Sequence, residues 1–258
     1  MTMELNIVIP MAGRGSRFTD AGYTVPKPLI PIHGVPMIQA VVRNVTPTLT
    51  CHHIFIVLKE HILEYGIHKQ LQRLVPGCSV VVVEQVTDGA ACTVLLARDL
   101  IDSDTPLMLA NSDQFVDADM DSYVAAQQNG DLDGLIMTFW SDHPKWSYCR
   151  LSEVGLVTDV VEKQVVSNEA TVGIYNFRRG GDFVRAADRM IASDKRVNGE
   201  FYVAPVYNEM IADGRRIGVF NIGREGREMH GLGVPDDLRA FERQTQYVDR
   251  VRSQARRA

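Results

Sequence analysis

The segment LNIVIPMAGRGSRFTDAGYTVPKPLIPIHGVPMI, from Leu5 to Ile38, passes from an apolar run into a loop rich in glycine and proline. The run LNIVIP predicts a buried strand, because strands covered on both faces are nearly continuous in Val, Ile and Leu. The loop that follows carries the cationic side chains Arg14, Arg17 and Lys27. Glycines let a backbone approach a ligand closely, and consecutive N–H groups in such a turn form an anion-binding concavity. The segment therefore predicts a strand followed by a phosphate-binding loop.

Two kinds of segment alternate through the rest of the first half. Further apolar runs are HIFIVLK, SVVVVEQ, PLMLANSD and GLIMTFW. Between them lie segments with apolar residues at helical spacing, which are VPMIQAVVRNV, HILEYGIHKQLQRLV, GAACTVLLARDLI and DMDSYVAAQQ. This order of strand and helix predicts an α/β fold with a mostly parallel, doubly wound sheet.

The pattern changes after about Asp142. The segment YCRLSEVGLVTDVVEK predicts a hairpin with its turn near Glu153–Gly155, and ATVGIYNF and RIGVFNI predict two further strands. Helical spacing recurs in GGDFVRAADRMIA and in part of EFYVAPVYNEMIADG, and PDDLRAFERQTQYVDRVRSQARR predicts a C-terminal helix with Pro235 near its start. No linker, internal repeat or low-complexity stretch separates the two halves, so we predict one domain over residues 1–258.

The composition limits the classes of function. The chain has 258 residues, of which 45% are hydrophobic, enough for an ordinary globular core. Its net charge of −5 argues against general nucleic-acid binding, which favours a basic surface. We find no signal-peptide pattern and no long apolar stretch, so we expect no membrane partner. The four cysteines are far apart with no C-x-x-C pairing, which predicts reduced thiols in a cytoplasmic protein.

The cations of the first loop offer different chemistry. A guanidinium such as that of Arg17 can bind two phosphate oxygens, whereas the ammonium of Lys27 acts as a point charge. Prolines on both sides of Lys27 fix the backbone that carries it. The loop lacks the G-x-x-x-x-G-K-[ST] pattern of a Walker A loop, and Phe18 stands at the last glycine position of a Rossmann fingerprint. We therefore predict a different kind of triphosphate loop. Its nucleotide-binding residues are Ala12, Gly13, Gly15 and Ser16.

The motif MAGRGSRF…PKPLIPIHGVPMI resembles the signature of the sugar nucleotidyltransferases, the family that includes glucose-1-phosphate thymidylyltransferase and bacterial phosphocholine cytidylyltransferases. The resemblance extends over most of the chain. It implies a Rossmann-like α/β fold, with a mixed, mainly parallel sheet and helices on both faces. It also implies a reaction in which a nucleoside triphosphate and a small phosphorylated acceptor give an NDP-acceptor and pyrophosphate, with Mg²⁺ as cofactor. Residues 1–140 would then form the nucleotide-binding half and residues 141–258 the acceptor-binding half.

We predict three catalytic residues in this reaction, Arg17, Lys27 and Asp113. Arg17 would hold the β- and γ-phosphates, and Lys27 would stabilise the α-phosphoryl group. Asp113 follows the apolar run in LMLANSDQF, and carboxylates at the carboxyl end of a parallel strand face the crevice where open α/β sheets bind ligands. Mg²⁺ typically binds one or two carboxylates together with substrate phosphates, so we predict Asp113 as its ligand. Asn111, in the same motif, is assigned to the nucleotide.

The segment EQVTDGAACTVLLA is assigned to the nucleotide base. The family places a Gln and a Gly against the base at these positions, which implies those roles for Gln85 and Gly89. A Gln side chain offers both a donor and an acceptor to a base edge, and a glycine lets a flat ring lie on the backbone. The nucleotide stays open between CTP and dTTP. CTP is favoured because the departures from the family pattern concern the acceptor and the metal.

The segment VVEKQVVSNEATVGIYNF matches the acceptor pocket of the family. The match implies acceptor contacts from Glu162, Lys163 and Gly173. Tyr148 is assigned to the acceptor as well, but Cys149 follows it where sugar-specific enzymes have a glycine. The acceptor is therefore open between a sugar 1-phosphate and another small phosphoester.

A second departure concerns the metal site. Thymidylyltransferases have an Asp that completes this site, and our reading of the sequence puts Pro205 there, with Asn208 and Glu200 nearby. The second metal ligand is therefore open. Two other classes of protein remain, a glycosyltransferase of related fold that consumes a nucleotide-sugar, and an inactive nucleotide-binding regulator. Arg17 and the Pro-Lys-Pro-Leu motif favour an enzyme that uses a triphosphate, and the resemblance implies that it makes precursors of surface polysaccharide. A homo-oligomer is left open.

Overall fold

The apolar runs of the sequence form one large sheet. The computed structural model describes residues 4–253. Its strands are β1 (Glu4–Pro10), β2 (Pro31–Ile32), β3 (Val35–Pro36), β4 (Thr50–Leu58), β5 (Ser79–Val83), β6 (Leu107–Ala110), β7 (Gln114–Val116), β8 (Gly134–Trp140), β9 (Ser147–Leu151), β10 (Val157–Glu162), β11 (Glu169–Phe177), β12 (Ile217–Arg224) and β13 (Met229–Gly231).

Short helices connect these strands. The α-helices are α1 (Ser16–Asp20), α2 (Met37–Val45), α3 (Lys59–Tyr65), α4 (Ile67–Leu74), α5 (Ala90–Leu95), α6 (Arg98–Ile101), α7 (Met120–Asn129), α8 (Gly180–Ala192), α9 (Val206–Ala212), α10 (Pro235–Glu242) and α11 (Val248–Ser253). Two 3₁₀ turns cover Lys27–Leu29 and Thr245–Tyr247. Within residues 4–253, no helix has the length and apolar content needed to cross a membrane.

The large sheet has the strand order β10-β9-β11-β6-β1-β4-β5, and β8 pairs with both β11 and β12. Its parallel part comes from the first half of the chain, where β1 lies between β4 and β6, and β4 pairs with β5. β11 runs antiparallel to β6 and β8, and β9 and β10 form the predicted hairpin. The predicted Rossmann-like mixed sheet is confirmed. Because β11 joins the second half of the chain to β6, both halves contribute to one sheet.

Side chains of β1 alternate between two cores. Ile7 and Ile9 belong to the core that α2, α7 and α10 cover, whereas Val8 belongs to the core covered by α5, α8 and α9. All three side chains are fully buried. A strand buried on both faces needs this nearly continuous apolar sequence, and the helices lie on both faces of the sheet as predicted.

Three predicted helices are each divided in the structure. GAACTVLLARDLI forms α5 and α6. HILEYGIHKQLQRLV forms α3 and α4, because Gly66 takes a left-handed conformation (φ 59°) between them. The predicted C-terminal helix forms α10 and α11 with a 3₁₀ turn between them, and the part beyond Ser253 lies outside the described residues. In that turn the ring of Tyr247 stacks on Phe241 and meets Phe115 edge-on, with centroids 5.6 and 5.5 Å apart. The turn thereby fixes the C-terminal segment to the core.

Candidate active site

Two cavities lie side by side at the carboxyl ends of the parallel strands. The first, which we call the loop cavity, has a volume of about 440 Å³ and lies between the loops that follow β1, β5 and β6. The second, the hairpin cavity, has a volume of about 460 Å³ and lies between the β9–β10 hairpin, β11 and the segment around β13. Asn111 and Asp113 line both cavities. Ligands bound in the two cavities would therefore meet at these residues.

Lys27 and Asp113 form an ion pair at the boundary between the cavities. The Nζ atom of Lys27 lies 2.8 Å from Oδ2 of Asp113. The two side chains are 20% and 26% exposed, so the pair is partly shielded from water. Pro26 is extended immediately before Lys27, which begins a 3₁₀ turn. The predicted catalytic lysine and the predicted metal ligand, 86 positions apart in the chain, thus lie in direct contact.

The glycine loop lies against the backbone and side chain of Lys27. Ala12 and Gly13 line the loop cavity. Gly15 has a φ of 64° and precedes α1, and a Cβ atom built on it would lie 3.2 Å from Cβ of Lys27. Glycine is favoured at such a positive φ, since other side chains are strained there. Ser16 begins α1 and is exposed.

Arg17 lines the hairpin cavity rather than the loop cavity. Its guanidinium forms no hydrogen bond or ion pair with any residue in the described part of the chain. Its donors are therefore available to an anion. Lys27 and Arg17 come from one loop of the sequence, but the structure places them at different positions. Lys27 lies at the boundary between the two cavities, whereas Arg17, on α1, lies in the hairpin cavity.

Asn111 is held by β11. Its backbone N–H donates to the carbonyl oxygen of Gly173 at 2.9 Å. Gly173 has a φ of 96°, and a Cβ atom built on it would lie 2.2 Å from Nδ2 of Asn111. A side chain at position 173 would thus displace Asn111 from the shared wall. Gly173, which the sequence predicted to contact the acceptor, lines the hairpin cavity. It also leaves room for Asn111, which was predicted to bind the nucleotide.

Gly89 lines the loop cavity, and its packing alone demands glycine. Its φ is 128°, and a Cβ atom built on it would lie 2.5 Å from the backbone oxygen of Phe201. Gln85, by contrast, is exposed and lies two residues beyond the end of β5, and it does not line either cavity. Val86 and Thr87 stand at that wall instead. The base contact of Gln85 stays a prediction, since its neighbours Val86 and Thr87 line the cavity and Gln85 itself does not.

Glu162 ends β10, and Lys163 follows it; both line the hairpin cavity. The hydroxyl of Ser147 donates to Oε2 of Glu162. Burial raises the pKa of Glu162 above its ordinary value, although this hydrogen bond and the charge of Lys163 oppose the shift. The ammonium of Lys163 donates to the hydroxyl of Tyr202 and lies 4.6 Å from the centroid of its ring. These groups can bind hydroxyls and an anionic group of an acceptor.

Tyr148 is not part of the cavity wall. Its side chain is fully buried, and its hydroxyl donates to the backbone oxygen of His143 at 2.7 Å. Adjacent residues of a strand face opposite sides, so Ser147 lines the cavity while Tyr148 packs in the core. The acceptor contact predicted for Tyr148 is therefore corrected to its neighbour.

Several residues of the hairpin cavity were not found from the sequence. They are Lys145, Trp146, Thr171, Tyr175, Tyr202 and Asp237. The ammonium of Lys145 lies 4.6 Å from the centroid of Trp146 and forms an ion pair with Glu225 at 2.7 Å. The segment HPKWSY offered a signal for the first two, since it combines a cation and an aromatic ring just before the hairpin. For Asp237, on α10, the signal was the segment HGLGVPDDL, which resembles a late G-T-P-x-D-L segment of the family.

The carboxylates near the cavity boundary fit a hard divalent cation. Asp113 provides oxygen atoms between the two cavities, and Glu200 lines the loop cavity. Mg²⁺ is commonly held by one or two carboxylates and by substrate phosphates, so this set suffices without a protein-only cage. Residues 4–253 contain no group of three His, Cys, Asp or Glu side chains placed to hold a metal. Asn208 is committed elsewhere, since its amide binds the backbone N–H and C=O of Val160.

The chain is similar to several known proteins. The family model described as nucleotidyl transferase matches residues 7–210. The bifunctional protein GlmU of Methanococcus aeolicus is 24% identical over 179 residues, which is 67% of this chain and 40% of that protein. The chain thus spans less than half the length of this relative.

Among solved structures, the nucleoside-diphosphate-sugar pyrophosphorylase from Vibrio cholerae RC9 matches with a TM-score of 0.79 and 29% identity, over 92% of this chain and 100% of that one. The inositol-1-phosphate CTP transferase from T. maritima matches with a TM-score of 0.75 and 14% identity, over 100% of this chain and 98% of that one. The second likeness shows the fold alone.

Proposed function

The chain belongs to the nucleotidyl transferase family, and from that premise we propose that it moves a nucleoside monophosphate from a nucleoside triphosphate onto a small phosphorylated acceptor, with release of pyrophosphate. The observation that supports this reaction is the pair of cavities that share Asn111 and Asp113. A triphosphate in the loop cavity and an acceptor phosphate in the hairpin cavity would meet there. Residues 1–140 would bind the nucleotide and residues 141–258 the acceptor.

The loop cavity suits the triphosphate. Backbone N–H groups from Gly13 to Ser16 would bind phosphate oxygens, as consecutive N–H groups do in anion-binding turns. Lys27 would lie near the α-phosphorus, where its charge is most useful. Arg17 would supply a second cation from the side of the hairpin cavity. Gly89 would offer a flat backbone surface to the base.

The chemistry needs no nucleophile from the protein. An oxygen of the acceptor phosphate attacks the α-phosphorus in line, and the bond to the bridging oxygen of pyrophosphate breaks with its electron pair. Lys27 stabilises the charge that builds on the α-phosphoryl oxygens. Lys163 and Glu162 orient the acceptor so that its phosphate reaches the boundary of the cavities. Catalysis is then positioning plus charge stabilisation.

Asp113 is the residue that would hold Mg²⁺, with Glu200 as the second carboxylate within reach of the nucleotide. When bound, Mg²⁺ supplies a Lewis acid that neutralises phosphate charge. Asp113 suits this role because its carboxylate borders both cavities. Lys27, its partner in the ion pair, would turn to the phosphates.

The nucleotide we favour is CTP or dTTP, and the acceptor is a sugar 1-phosphate or another small phosphoester. The relative from Vibrio cholerae is described as a nucleoside-diphosphate-sugar pyrophosphorylase, which supports a sugar-type acceptor. Four hydroxyl side chains of the hairpin cavity, Ser147, Thr171, Tyr175 and Tyr202, support an acceptor with hydroxyl groups. We propose that the product is a cytoplasmic precursor of surface polysaccharide. A homo-oligomer is compatible with this function.

A pyrophosphate-release screen tests the proposal. Each nucleoside triphosphate is combined with sugar 1-phosphates and with small phospho-alcohols, in the presence of Mg²⁺, and products are identified by mass spectrometry. We expect release with CTP or dTTP and one class of acceptor. A glycosyltransferase would instead consume a nucleotide-sugar without releasing pyrophosphate, and an inactive regulator would bind a nucleotide without turnover. Either result would overturn the proposed reaction.

A further inference from the structure

The wall of the loop cavity includes a short turn that is held from outside the cavity. We call residues 87–91 the base turn, because they contain Gly89, which is proposed to face the nucleotide base. Thr87, Gly89 and Ala90 line the loop cavity. The hydroxyl of Thr87 donates to the backbone oxygen of Gly89 at 3.0 Å. The base turn is therefore part of the surface that a bound nucleotide would contact.

The backbone of Phe201 packs directly against the base turn. Its N–H donates to the carbonyl oxygen of Asp88 at 2.8 Å, and its carbonyl oxygen accepts from the N–H of Ala91 at 3.0 Å. Ala91 lies in the first turn of α5, where backbone N–H groups have no partner within the helix. Phe201 therefore binds the backbone on both sides of Gly89, and the position of Gly89 at the cavity follows that of Phe201.

Phe201 is the last residue of a largely exposed segment, residues 194–201, which we call the strap. Asn198 and Gly199 have φ values of 50° and 82°, and the residues on either side of them exchange two backbone hydrogen bonds of 3.0 Å. An Asn-Gly pair with positive φ at both residues is typical of a tight two-residue hairpin turn. The turn itself is exposed, so burial does not hold it in place.

Arg196 joins the strap to the base turn. Its guanidinium carbon lies 4.2 Å from the centroid of the Phe201 ring, and its Nη1 atom lies 3.2 Å from Oδ2 of Asp88 and 3.1 Å from the backbone oxygen of Gly199. A second ion pair, with Asp194, links the same guanidinium to the start of the strap. An isolated exposed ion pair contributes little, but a guanidinium that stacks on a ring and binds several groups at once holds them in one arrangement.

We propose that Arg196 is a positioning residue for the nucleotide, which holds Gly89 at the wall of the loop cavity. It acts through Asp88 and Phe201, since Arg196 itself does not line either cavity. This inference rests on the proposed binding of a nucleoside triphosphate in the loop cavity. A loop that is already held in its bound arrangement binds a ligand more tightly, because less conformational freedom is lost on binding.

Two measurements on the full chain test the role of Arg196, with Arg196→Met and Arg196→Lys as variants. Isothermal titration with the four ribonucleoside triphosphates and dTTP, each with Mg²⁺, measures nucleotide binding. Hydrogen exchange followed by mass spectrometry measures opening of the base turn without nucleotide. In Arg196→Met we expect the dissociation constant of the bound triphosphate to rise about two- to tenfold and exchange in the base turn to become faster. Arg196→Lys, which keeps the charge, should fall between this variant and the wild-type chain.

A matched control is Arg98→Met, which removes an exposed ion pair with Asp188 away from both cavities. It should leave both measurements unchanged, and urea unfolding should give all the variants a stability close to that of the wild-type chain. Full nucleotide affinity in Arg196→Met, or weaker affinity without faster exchange in the base turn, would overturn the role of Arg196. Should Arg196→Met fail to fold, Arg196→Lys decides between the same outcomes.

Pyrophosphate release separates this inference from the proposed reaction. If the wild-type chain binds a triphosphate but releases no pyrophosphate with any acceptor, the proposed reaction fails, and the binding measurements still decide the role of Arg196. If pyrophosphate is released and the KM for the triphosphate is the same in Arg196→Met, the inference fails alone. We expect that KM to rise while kcat is retained, because Arg196 does not contact the reacting groups. A wild-type chain that binds no triphosphate would overturn both.

Discussion

Among single residues, Lys27 and Asp113 form an ion pair that affects how the active site can bind a metal. The carboxylate that is proposed to hold Mg²⁺ is neutralised by an ammonium 2.8 Å away. A divalent cation on its own must compete with that ammonium for Asp113. A triphosphate reduces this competition, because its oxygens can pair with Lys27 and can also bind the metal. The pair therefore favours entry of the metal together with the nucleotide.

Replacing Lys27 by Met should separate these effects. We expect Lys27→Met to lower turnover by about 10²–10³-fold, the usual effect of removing one group that stabilises transition-state charge. We also expect it to strengthen Mn²⁺ binding in the absence of nucleotide, because the competing ammonium is gone. Pyrophosphate release measures the first effect, and electron paramagnetic resonance of free Mn²⁺ measures the second.

A matched control is Lys59→Met, which removes an ion pair with Glu84 whose side chains are largely exposed. This substitution should leave both measurements unchanged. Full turnover in Lys27→Met would remove Lys27 from the reaction. Unchanged Mn²⁺ binding would show that the ion pair does not restrict access of the metal to Asp113.

Among the elements, the short antiparallel pair of β7 and β13 supports the active site. β13 pairs with β7, which follows Asp113 in the chain. Gly231 at the end of β13, and Gly233 just after it, line the hairpin cavity. A Cβ atom built on Gly233 would lie 2.7 Å from Oδ2 of Asp113, whereas one built on Gly231 would be no closer than 3.4 Å to any side-chain atom. Gly233 thus lies against the carboxylate of Asp113, and Gly231 does not.

The two glycines provide a matched pair of substitutions. Gly233→Ala should push the carboxylate of Asp113 away from Lys27, and a displacement of about 1 Å in an active site can lower the rate up to about 10²-fold. Stability should change little, because the end of a flexible side chain can move. Gly231→Ala, whose methyl group would face Trp146 and Asp237 of the hairpin cavity rather than Asp113, should lower turnover less. Steady-state rates and urea unfolding of both variants measure these effects, and equal rates would show that the carboxylate tolerates the methyl group.

In the whole molecule, buried histidines couple stability to pH. His53 on β4 is buried, and its Nε2 atom lies 2.9 Å from the hydroxyl oxygen of Thr46. Burial, together with the charge of His52, lowers the pKa of His53 to about 4. Burial also lowers the pKa of His61 and His230. The unfolded chain therefore binds more protons than the folded chain below the ordinary histidine pKa of about 6.5.

The sign of the pH dependence follows from that difference. Stability from the neutral histidines is fully present above about pH 6.5 and is lost as the pH falls towards 4. His53 alone should lower the free energy of unfolding by up to about 3 kcal/mol across this range. Urea unfolding at a series of pH values measures how the free energy of unfolding changes with pH. His53→Gln should reduce this slope and leave the part that comes from the other buried histidines. An identical slope in wild type and variant would contradict the contribution of His53.

The site could be predicted from the sequence where its residues follow strand ends. Asn111 and Asp113 come directly after an apolar run, and parallel strands bring such positions to one edge of the sheet. Glu162 and Lys163 end a strand of the predicted hairpin and line the hairpin cavity. Tyr148 was misplaced because the sequence does not show which face of a strand a side chain lies on, and adjacent residues face opposite sides. The base contact of Gln85 stays a prediction.

The sequence by itself determined the strands of the large sheet, the helical segments of both layers and the glycine-rich loop, because each depends on neighbours within a few positions. Only the tertiary structure decided that Lys27 meets Asp113, that Arg17 lies in the other cavity and that Asp237 joins the hairpin cavity. The physical reason is that contacts between distant segments depend on the packing of the whole sheet and leave no periodic pattern in the chain. Gly89 shows the same limit, since its need for glycine arises from the backbone of Phe201, more than a hundred positions away.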